Sequence, residues 1–462
     1  MKEFDCVIIG GGPGGYAAAI RAAQEGLSVA LVEKEALGGT CLNWGCIPTK
    51  SLLHAADVLR QTRDAEALGV SIKGVDIDLA QMVKQSRDAA NQLSKGIAGL
   101  MRKHKITVFN ETAEILGVGQ VGLSESGELL ADAIVIATGA TPRKLPHIDC
   151  ESDRIWSARE AMTPQFLPKR LLIVGAGAIG VEFASLYSAL GTKVTLIEAA
   201  ANVLPAEDQE ISALAKAALS EEGIEIHTNT PLDALSGKKQ LQAEFAGQTK
   251  RFDACIMSVG VMANVEGLGL DRVGLAPERG FLEVDGHQQT SVPGIYAIGD
   301  VAGVPCLAHK ATHEAIVVAE VIAGKSPAPL HAERVPGCTY SSPQVASIGL
   351  REQDAGERNI RVGRFPFYAN GKAVASHADE GLIKTIFDGD TGALLGAHMI
   401  GEGVTELIQG FAIAITLETT EQELMETVFP HPTLSEAMHE SCLLYTSPSP
   451  RDGLLSRMPS SA

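Results

Sequence analysis

Basic charge, aromatic side chains and long apolar runs are all scarce in this chain. Its 38 Lys and Arg stand against 56 Asp and Glu, a formal charge of −18. That balance argues against nucleic acid and anionic membrane surfaces as partners, and it would attract a basic one. Uncharged stretches such as 407–417 end well short of the roughly 18 residues of a membrane span, so no span is expected. No basic, amphipathic or apolar leader stands before Asp5-Cys6-Val7-Ile8-Ile9-Gly10, which already reads as a strand entering a glycine turn. Secretion and organelle import are therefore unsupported, and a cytoplasmic location is expected. The eight cysteines (6, 41, 46, 150, 255, 306, 338 and 442) are scattered, which fits a reducing compartment with one special pair. Glycine, by contrast, is plentiful. With 48 glycines, 45% hydrophobic and only 4% aromatic residues, the composition suits an α/β protein with many tight turns. A length of 462 residues suggests about three domains.

The glycines are placed with a purpose. A strand over 5–9 runs into Gly10-Gly11-Gly12-Pro13-Gly14-Gly15, with Gly10, Gly12 and Gly15 in the three positions of GxGxxG; a helix over 16–25 and a strand over 27–32 follow, ending at Glu33. This is the order of a dinucleotide-binding βαβ unit: glycines for the turn and for close approach to pyrophosphate, then an acid for the ribose hydroxyls. The pattern recurs at Gly175, Gly177 and Gly180, with a helix to Leu190 and a strand over 193–197 ending at Glu198. Gly10 and Glu33 are 23 positions apart, and so are Gly175 and Glu198. Each unit closes on an apolar strand entering a turn, at Thr138-Gly139 in the first and Val259-Gly260 in the second. The first unit is longer by an insertion that carries Cys41, Cys46 and helical stretches over 51–67 and 78–103. The unit bearing the cysteines should hold a redox cofactor, and the plainer one an exchangeable nucleotide. After Glu198 comes Ala199-Ala200-Ala201-Asn202-Val203, with no basic residue to receive a 2′-phosphate, which favours NAD over NADP.

Cys41 and Cys46 lie in Gly38-Gly39-Thr40-Cys41-Leu42-Asn43-Trp44-Gly45-Cys46-Ile47-Pro48-Thr49-Lys50, ahead of a helix expected over 51–60. In a regular helix, positions five apart have Cα atoms roughly 8.7 Å from each other, whereas a disulfide needs about 4.4–6.8 Å. The pair can close only in a distorted first turn, and the flanking glycines allow one. A thiolate at a helix N-terminus is also stabilised by unpaired N–H groups. On the residues alone, a redox pair, two buried structural cysteines and half a metal site all stand. The metal reading lacks a second cysteine pair of suitable spacing. His309 and His313, one helical turn apart, likewise lack a third ligand, so no metal is expected. Near the C-terminus, Phe429-Pro430-His431-Pro432-Thr433-Leu434-Ser435-Glu436 reads either as a His-Pro turn capping a helix or as a base with an orienting carboxylate.

The string GGTCLNWGCIPTK over 38–50 closely resembles the active-site signature of the pyridine nucleotide–disulfide oxidoreductases, the flavoprotein disulfide reductases, and the likeness runs from residue 4 to about 441. It implies an α/β protein with two Rossmann-like nucleotide-binding domains, one for FAD and one for NAD, and a C-terminal α+β interface domain. The boundaries expected are 1–145 for the FAD domain, 146–268 for the NAD domain, 269–328 for a return to the first, and 329–441 for the interface domain. By this resemblance Cys41 and Cys46 form the redox-active disulfide. FAD meets Gly10, Gly12, Gly15, Glu33, Lys50, Thr138, Gly139, Asp300 (in Gly294-Ile295-Tyr296-Ala297-Ile298-Gly299-Asp300) and Ala308. NAD meets Gly175, Gly177, Gly180, Glu182, Glu198 and Gly260. Lys50 is implied to lie near the flavin and to pair with Glu182. His431 and Glu436 are implied to serve the disulfide of the other subunit, so that the enzyme is a homodimer with composite sites. Leu42, Ile47 and the HPTLSE string point within the family to oxidation of protein-bound dihydrolipoamide with reduction of NAD⁺. The partner is then the lipoyl domain of a dihydrolipoyl acyltransferase in a 2-oxoacid dehydrogenase complex. A glutathione- or mercuric-reductase-like activity is the alternative among enzymes, and a non-catalytic flavoprotein docking subunit the alternative of another class.

Two residues depart from the family pattern inside the signature: Trp44 stands where valine is usual and Thr49 where serine is usual. A third departure is the Ser/Pro-rich stretch 442–462, which is expected to be a non-native, disordered tail.

Overall fold

Val7–Ile9 and Val29–Val32 are apolar on both faces and buried on both, the signature of central parallel strands covered from two sides. They form the middle of the first of the sheets in a computed structural model that describes residues 2–148 and 151–443. In its seven-stranded sheet, Thr107–Phe109, Val29–Val32, Lys2–Ile9 and Gly127–Ile136 run side by side and parallel, and Ile295–Ala297 joins the far side of Gly127–Ile136. Ile9 pairs with Val32 and with Ile136, and Ile136 with Ala297. Gly10, Glu33, Ala137 and Ile298 therefore emerge at one edge, the carboxyl ends of the strands, where α/β sheets bind ligands.

A second sheet repeats the plan in the order Glu225–His227, Lys193–Ile197, Arg170–Val174, Ala254–Met257, Ile155–Trp156, all parallel. Ile197 faces Val174 and Val174 faces Met257, so Glu198 and Gly175 emerge together as Glu33 and Gly10 do. A short antiparallel pair, Ala140–Pro142 with Val261–Ala263, straps the two units to each other. The C-terminal part is an antiparallel sheet ordered Gly337–Thr339, Gln344–Gly349, Leu394–Gly401, Leu382–Asp388, Ile360–Pro366, with the helix Val404–Thr416 packed on it. The first glycine-loop helix begins at Pro13, three residues ahead of the expected start, because a proline at the first helical position has the right φ and no N–H to waste.

The long insertion contributes two helices, Cys46–Asp64 and Leu79–Lys103, the first opening on the second cysteine of the pair. The first begins at Cys46, five residues earlier than expected. Leu52, Leu53 and Ala56 on it belong to the same buried cluster as Phe183, Leu186 and Tyr187 of the second unit and Val345, Leu382 and Ile400 of the C-terminal sheet. One helix thus binds all three parts of the chain. The last helix, Glu436–Leu443, crosses the point where a tail was expected to begin: Cys442 is helical and buried, while 444–462 lie outside the described residues. Among the described residues no helix is long and apolar enough to cross a membrane.

Candidate active site

Cys41 and Cys46 are joined in a disulfide with Cα atoms 4.7 Å apart. They do not share one distorted turn. Cys41 lies in a separate short helix, Gly39–Trp44, and Gly45 (φ −153°, ψ −114°) breaks the run before Cys46 opens the next. This sharp joint between two helices shortens the spacing that a single helix would enforce. The approach is equally constrained. Gly38 and Gly39 have φ of 96° and 56°, Gly38 N–H donates to the Gly11 carbonyl at 2.8 Å, and a Cβ on Gly39 would fall 2.6 Å from Gly12 Cα. The cysteine segment is therefore pressed, backbone to backbone, on the first glycine loop.

The glycines of that loop divide the work. A Cβ on Gly15 would meet the Gly10 carbonyl at 1.8 Å, while one on Gly12 meets nothing closer than 3.9 Å. In the second loop a Cβ on Gly180 would lie 1.9 Å from the Gly175 carbonyl, and Gly177, like Gly139 and Gly260, has nothing within 4 Å. The outer glycines let helix and strand close up; the middle ones leave open backbone before a helix N-terminus, the cradle a pyrophosphate needs. Both acids stand at the rim. Glu33 accepts from Gly11 N–H at 2.6 Å and Glu35 N–H at 2.7 Å, and Glu198 from Ala176 N–H and Ala200 N–H, each at 2.7 Å. The two sites are built alike, and both fit a dinucleotide.

Lys50, one turn beyond Cys46, donates to both oxygens of Glu182 at 2.8 and 2.9 Å. Glu182 also accepts from Tyr340 N–H at 3.0 Å, and the Lys50 ammonium lies 4.3 Å from the Tyr340 ring centroid. Burial pushes the Tyr340 phenol up to about 12, so the ring faces the ammonium as a neutral group. Tyr340 stands just past the strand Gly337–Thr339 of the C-terminal sheet and had no signal in the sequence. Nor did Asn264, which locks Thr138: Thr138 Oγ1 donates to the Asn264 carbonyl at 2.7 Å and Asn264 Nδ2 to the Thr138 carbonyl at 2.9 Å.

Asp300 sits on the turn after Ile295–Ala297, and the turn is set by an ion pair of fully buried partners. Lys310 meets Glu314 at 2.8 Å; Glu314 accepts from Gly299 N–H at 2.7 Å, and Lys310 donates to the Gly303 carbonyl at 3.0 Å. Burial raises the Asp300 carboxyl, with the Lys310 charge pulling the other way. Ala308 opens the helix that carries this pair. His309 binds the Pro336 carbonyl at 2.8 Å, and among the described residues no three His, Cys, Asp or Glu side chains are gathered as for a metal.

His431 Nδ1 is 2.9 Å from Glu436 Oε1, and Glu436 Oε2 accepts from Thr433 N–H at 3.0 Å. The carboxylate is largely buried, whereas the imidazole is 72% exposed. A carboxylate on Nδ1 fixes the tautomer that leaves Nε2 free to accept a proton. Asn370 Nδ2 pins the loop by donating to the Thr433 carbonyl at 3.1 Å. Among the described residues, no hydrogen bond or ion pair joins His431 to the 38–50 segment of its own chain.

Comparison with known proteins places these features together in one lineage. Residues 4–315 match the pyridine nucleotide-disulphide oxidoreductase family, and residues 335–442 match the dimerisation domain of that family. The chain is 50% identical to the dihydrolipoyl dehydrogenase of Zymomonas mobilis, over 96% of this chain and 97% of that one. It is 47% identical to the dihydrolipoyl dehydrogenase of Rhizobium etli, over 96% and 98%. Among solved structures, LpdA from Mycobacterium tuberculosis superposes with a TM-score of 0.90 at 28% identity, over 96% of this chain and 99% of that one.

Proposed function

Since this chain belongs to the pyridine nucleotide-disulphide oxidoreductase family, we propose that it oxidises protein-bound dihydrolipoamide to lipoamide and reduces NAD⁺ to NADH, the activity of a dihydrolipoyl dehydrogenase. The observation that carries this reading is a Cys41–Cys46 disulfide whose entering residues, Gly38 and Gly39, are pressed on a dinucleotide loop at Gly11 and Gly12. The family uses FAD and NAD, and it dimerises through the domain that 335–442 matches.

In this reading Gly10, Gly12, Gly15, Glu33, Thr138, Gly139, Asp300 and Ala308 hold FAD, with Lys50 near its reactive ring. Gly175, Gly177, Gly180, Glu198 and Gly260 hold NAD, and Glu182 anchors Lys50. When bound, FAD supplies a two-electron relay between sulfur and the nicotinamide. The chain's own residues do the rest. His431 Nε2, on the partner subunit, takes the proton of the first substrate thiol, and Glu436 stabilises the imidazolium that results. The substrate thiolate attacks Cys41 Sγ; the Cys41–Cys46 bond breaks and Cys46 leaves as a thiolate, favoured by its place at the first position of a helix. The second substrate sulfur, once deprotonated, attacks the mixed disulfide and closes lipoamide, releasing Cys41. Two electrons are thereby moved from substrate to the cysteine pair by thiol–disulfide exchange alone, while the first thiol proton rests on the imidazole and the second passes to the Cys41 sulfur as it leaves.

The −18 charge supports docking to a basic segment of the acyltransferase that carries the lipoyl domain. The free thiols of Cys6, Cys306, Cys338 and Cys442 support a cytoplasmic setting. The deciding assay sets dihydrolipoamide with NAD⁺ beside glutathione disulfide with NADPH on purified, yellow holoprotein. Turnover of the first pair is expected. Turnover of the second pair alone would assign another disulfide reductase, and a flavin that dihydrolipoamide fails to bleach anaerobically would leave only a docking subunit.

A further inference from the structure

The two departures from the family signature touch the same neighbour. Trp44 reaches the short helix Ala158–Ala161, and Thr49 reaches the Met162 that ends it, at the entrance of the second nucleotide unit. The Arg159 guanidinium lies 3.8 Å from the Trp44 ring centroid, and Thr49 Oγ1 donates to Met162 Sδ at 3.1 Å. A second guanidinium, Arg87 of the helix Leu79–Lys103, lies 4.5 Å from the same indole and donates to the Asn43 carbonyl beside it. Neither cation is loose. Arg159 is ion-paired with Glu35, just past the ribose acid of the first unit, and the helix that bears it is fixed by a capping box and by Tyr187, whose hydroxyl donates to the Ala161 carbonyl at 2.7 Å.

The Cys41 helix needs such an anchor. It has six residues, from Gly39 to Trp44, too few to be stable alone. Its first end, at Gly38 and Gly39, is held against the first glycine loop, so the end that can pivot is the one at Gly45. While the disulfide is closed, the bond itself ties the helix to Cys46. Once the bond opens, the tie is gone and the end of the helix is held through its last residue, Trp44.

We propose that Trp44, gripped by Arg87 and Arg159, is a positioning residue that keeps Cys41 against Cys46 while the pair is reduced. The idea rests on the redox role given to that pair above, not on which dithiol it serves. Holding two thiols together raises their effective concentration and so favours the closed disulfide. Releasing the grip gives the open pair new freedom and favours the dithiol.

The test equilibrates holoenzyme in dithiothreitol redox buffers without lipoamide, quenches with acid, alkylates, and reads Cys41 and Cys46 by peptide mass. Replacing Trp44→Val should move the equilibrium about fivefold towards the dithiol, the combined worth of two half-exposed cation–π contacts. Alkylation of Cys41 in the reduced enzyme should quicken with it. Arg159→Gln should move the equilibrium the same way by less, and Trp44→Phe, which keeps a ring for both cations, should restore most of the loss. A shift within about twofold of the parent in folded Trp44→Val, or in Arg159→Gln if the valine variant does not fold, would overturn the proposal. So would Trp44→Phe moving as far as Trp44→Val. Because no lipoamide is present, a wrong substrate assignment would show in the turnover assay and leave this equilibrium unaffected.

Discussion

Lys50 and Glu182 meet through both carboxylate oxygens, at 2.8 and 2.9 Å, although one follows the disulfide and the other lies in the helix after the second glycine loop. The two partners are unequally placed, with side chains 34% and 8% exposed. Removing either should therefore have unequal effects. Lys50→Met strands a buried carboxylate with a single N–H from Tyr340, and is expected to destabilise the protein by about 2 kcal/mol, the worth of hydrogen bonds to a charged group. Glu182→Gln leaves an ammonium that water can reach, and should cost less than half as much. Thermal melting of the two variants side by side measures this. Equal losses would mean that the stranded carboxylate is not what the pair relieves.

Much of this site could be read from local order in the chain. Gly10, Gly12, Gly15 and Glu33, and their counterparts 165 residues on, are legible because a βαβ turn imposes fixed short spacings on residue type. Cys41 and Cys46 stayed open on their spacing alone, and only the resemblance of the whole 38–50 string implied their disulfide. The short helix between Gly38 and Gly45 was not legible, since six residues carry no periodicity, and a single helix running from Cys46 was expected to start at 51. What escaped altogether were contacts between parts distant in sequence: Tyr340 on Lys50, Asn264 on Thr138, Arg159 on Trp44. Such pairs leave no spacing to read, because the fold and not the local chain brings them together.

A further pair of this kind is Lys384 with Asp208. Lys384 is 2% exposed on the C-terminal sheet, yet its ammonium meets Asp208 at 2.8 Å, Glu352 at 2.6 Å and Glu210 at 3.0 Å. Asp208 also caps the helix Gln209–Glu221 of the second unit, so the cluster clasps that unit to the C-terminal sheet. Burial opposes the charge on Asp208, but the Lys384 hydrogen bond and charge outweigh it and hold the carboxyl below its ordinary value; Glu352 is lowered by the same lysine. Depressed carboxylates lend stability above about pH 4, their unfolded range, and lose it as pH falls. Lys384 itself is raised, despite burial, by those carboxylates, so its share is present below its unfolded value and is lost only in strong alkali. Lys384→Met is expected to lose about 3–5 kcal/mol near neutrality, the effect of unpairing buried charge. The deficit should shrink towards pH 4 as the carboxylates protonate. Urea unfolding of parent and variant at both pH values tests this; a deficit independent of pH would assign the loss to packing.

The exposed ring of His431 is braced by Glu436, and among the described residues no hydrogen bond or ion pair ties it to its own disulfide segment. If its target is the Cys41–Cys46 pair of the second subunit, the two halves of the chemistry can be broken separately and recombined. Cys41→Ser should abolish lipoamide turnover while FAD stays bound, and His431→Gln should lower it by about 10²–10⁴-fold, the usual worth of a general base. Each homodimer is then dead or nearly so. A mixed dimer has one site with both defects and one with neither, because each site takes its cysteines from one chain and its histidine from the other. Co-refolding or co-expressing the two variants under separate affinity tags and isolating the doubly tagged dimer should return about half of the parental turnover per dimer. If Cys41 and His431 instead served the same chain, both sites of the mixed dimer would be defective and the activity would stay near that of the variants. Recovery in the mixed dimer, with none in either parent variant, is the outcome that a composite site requires.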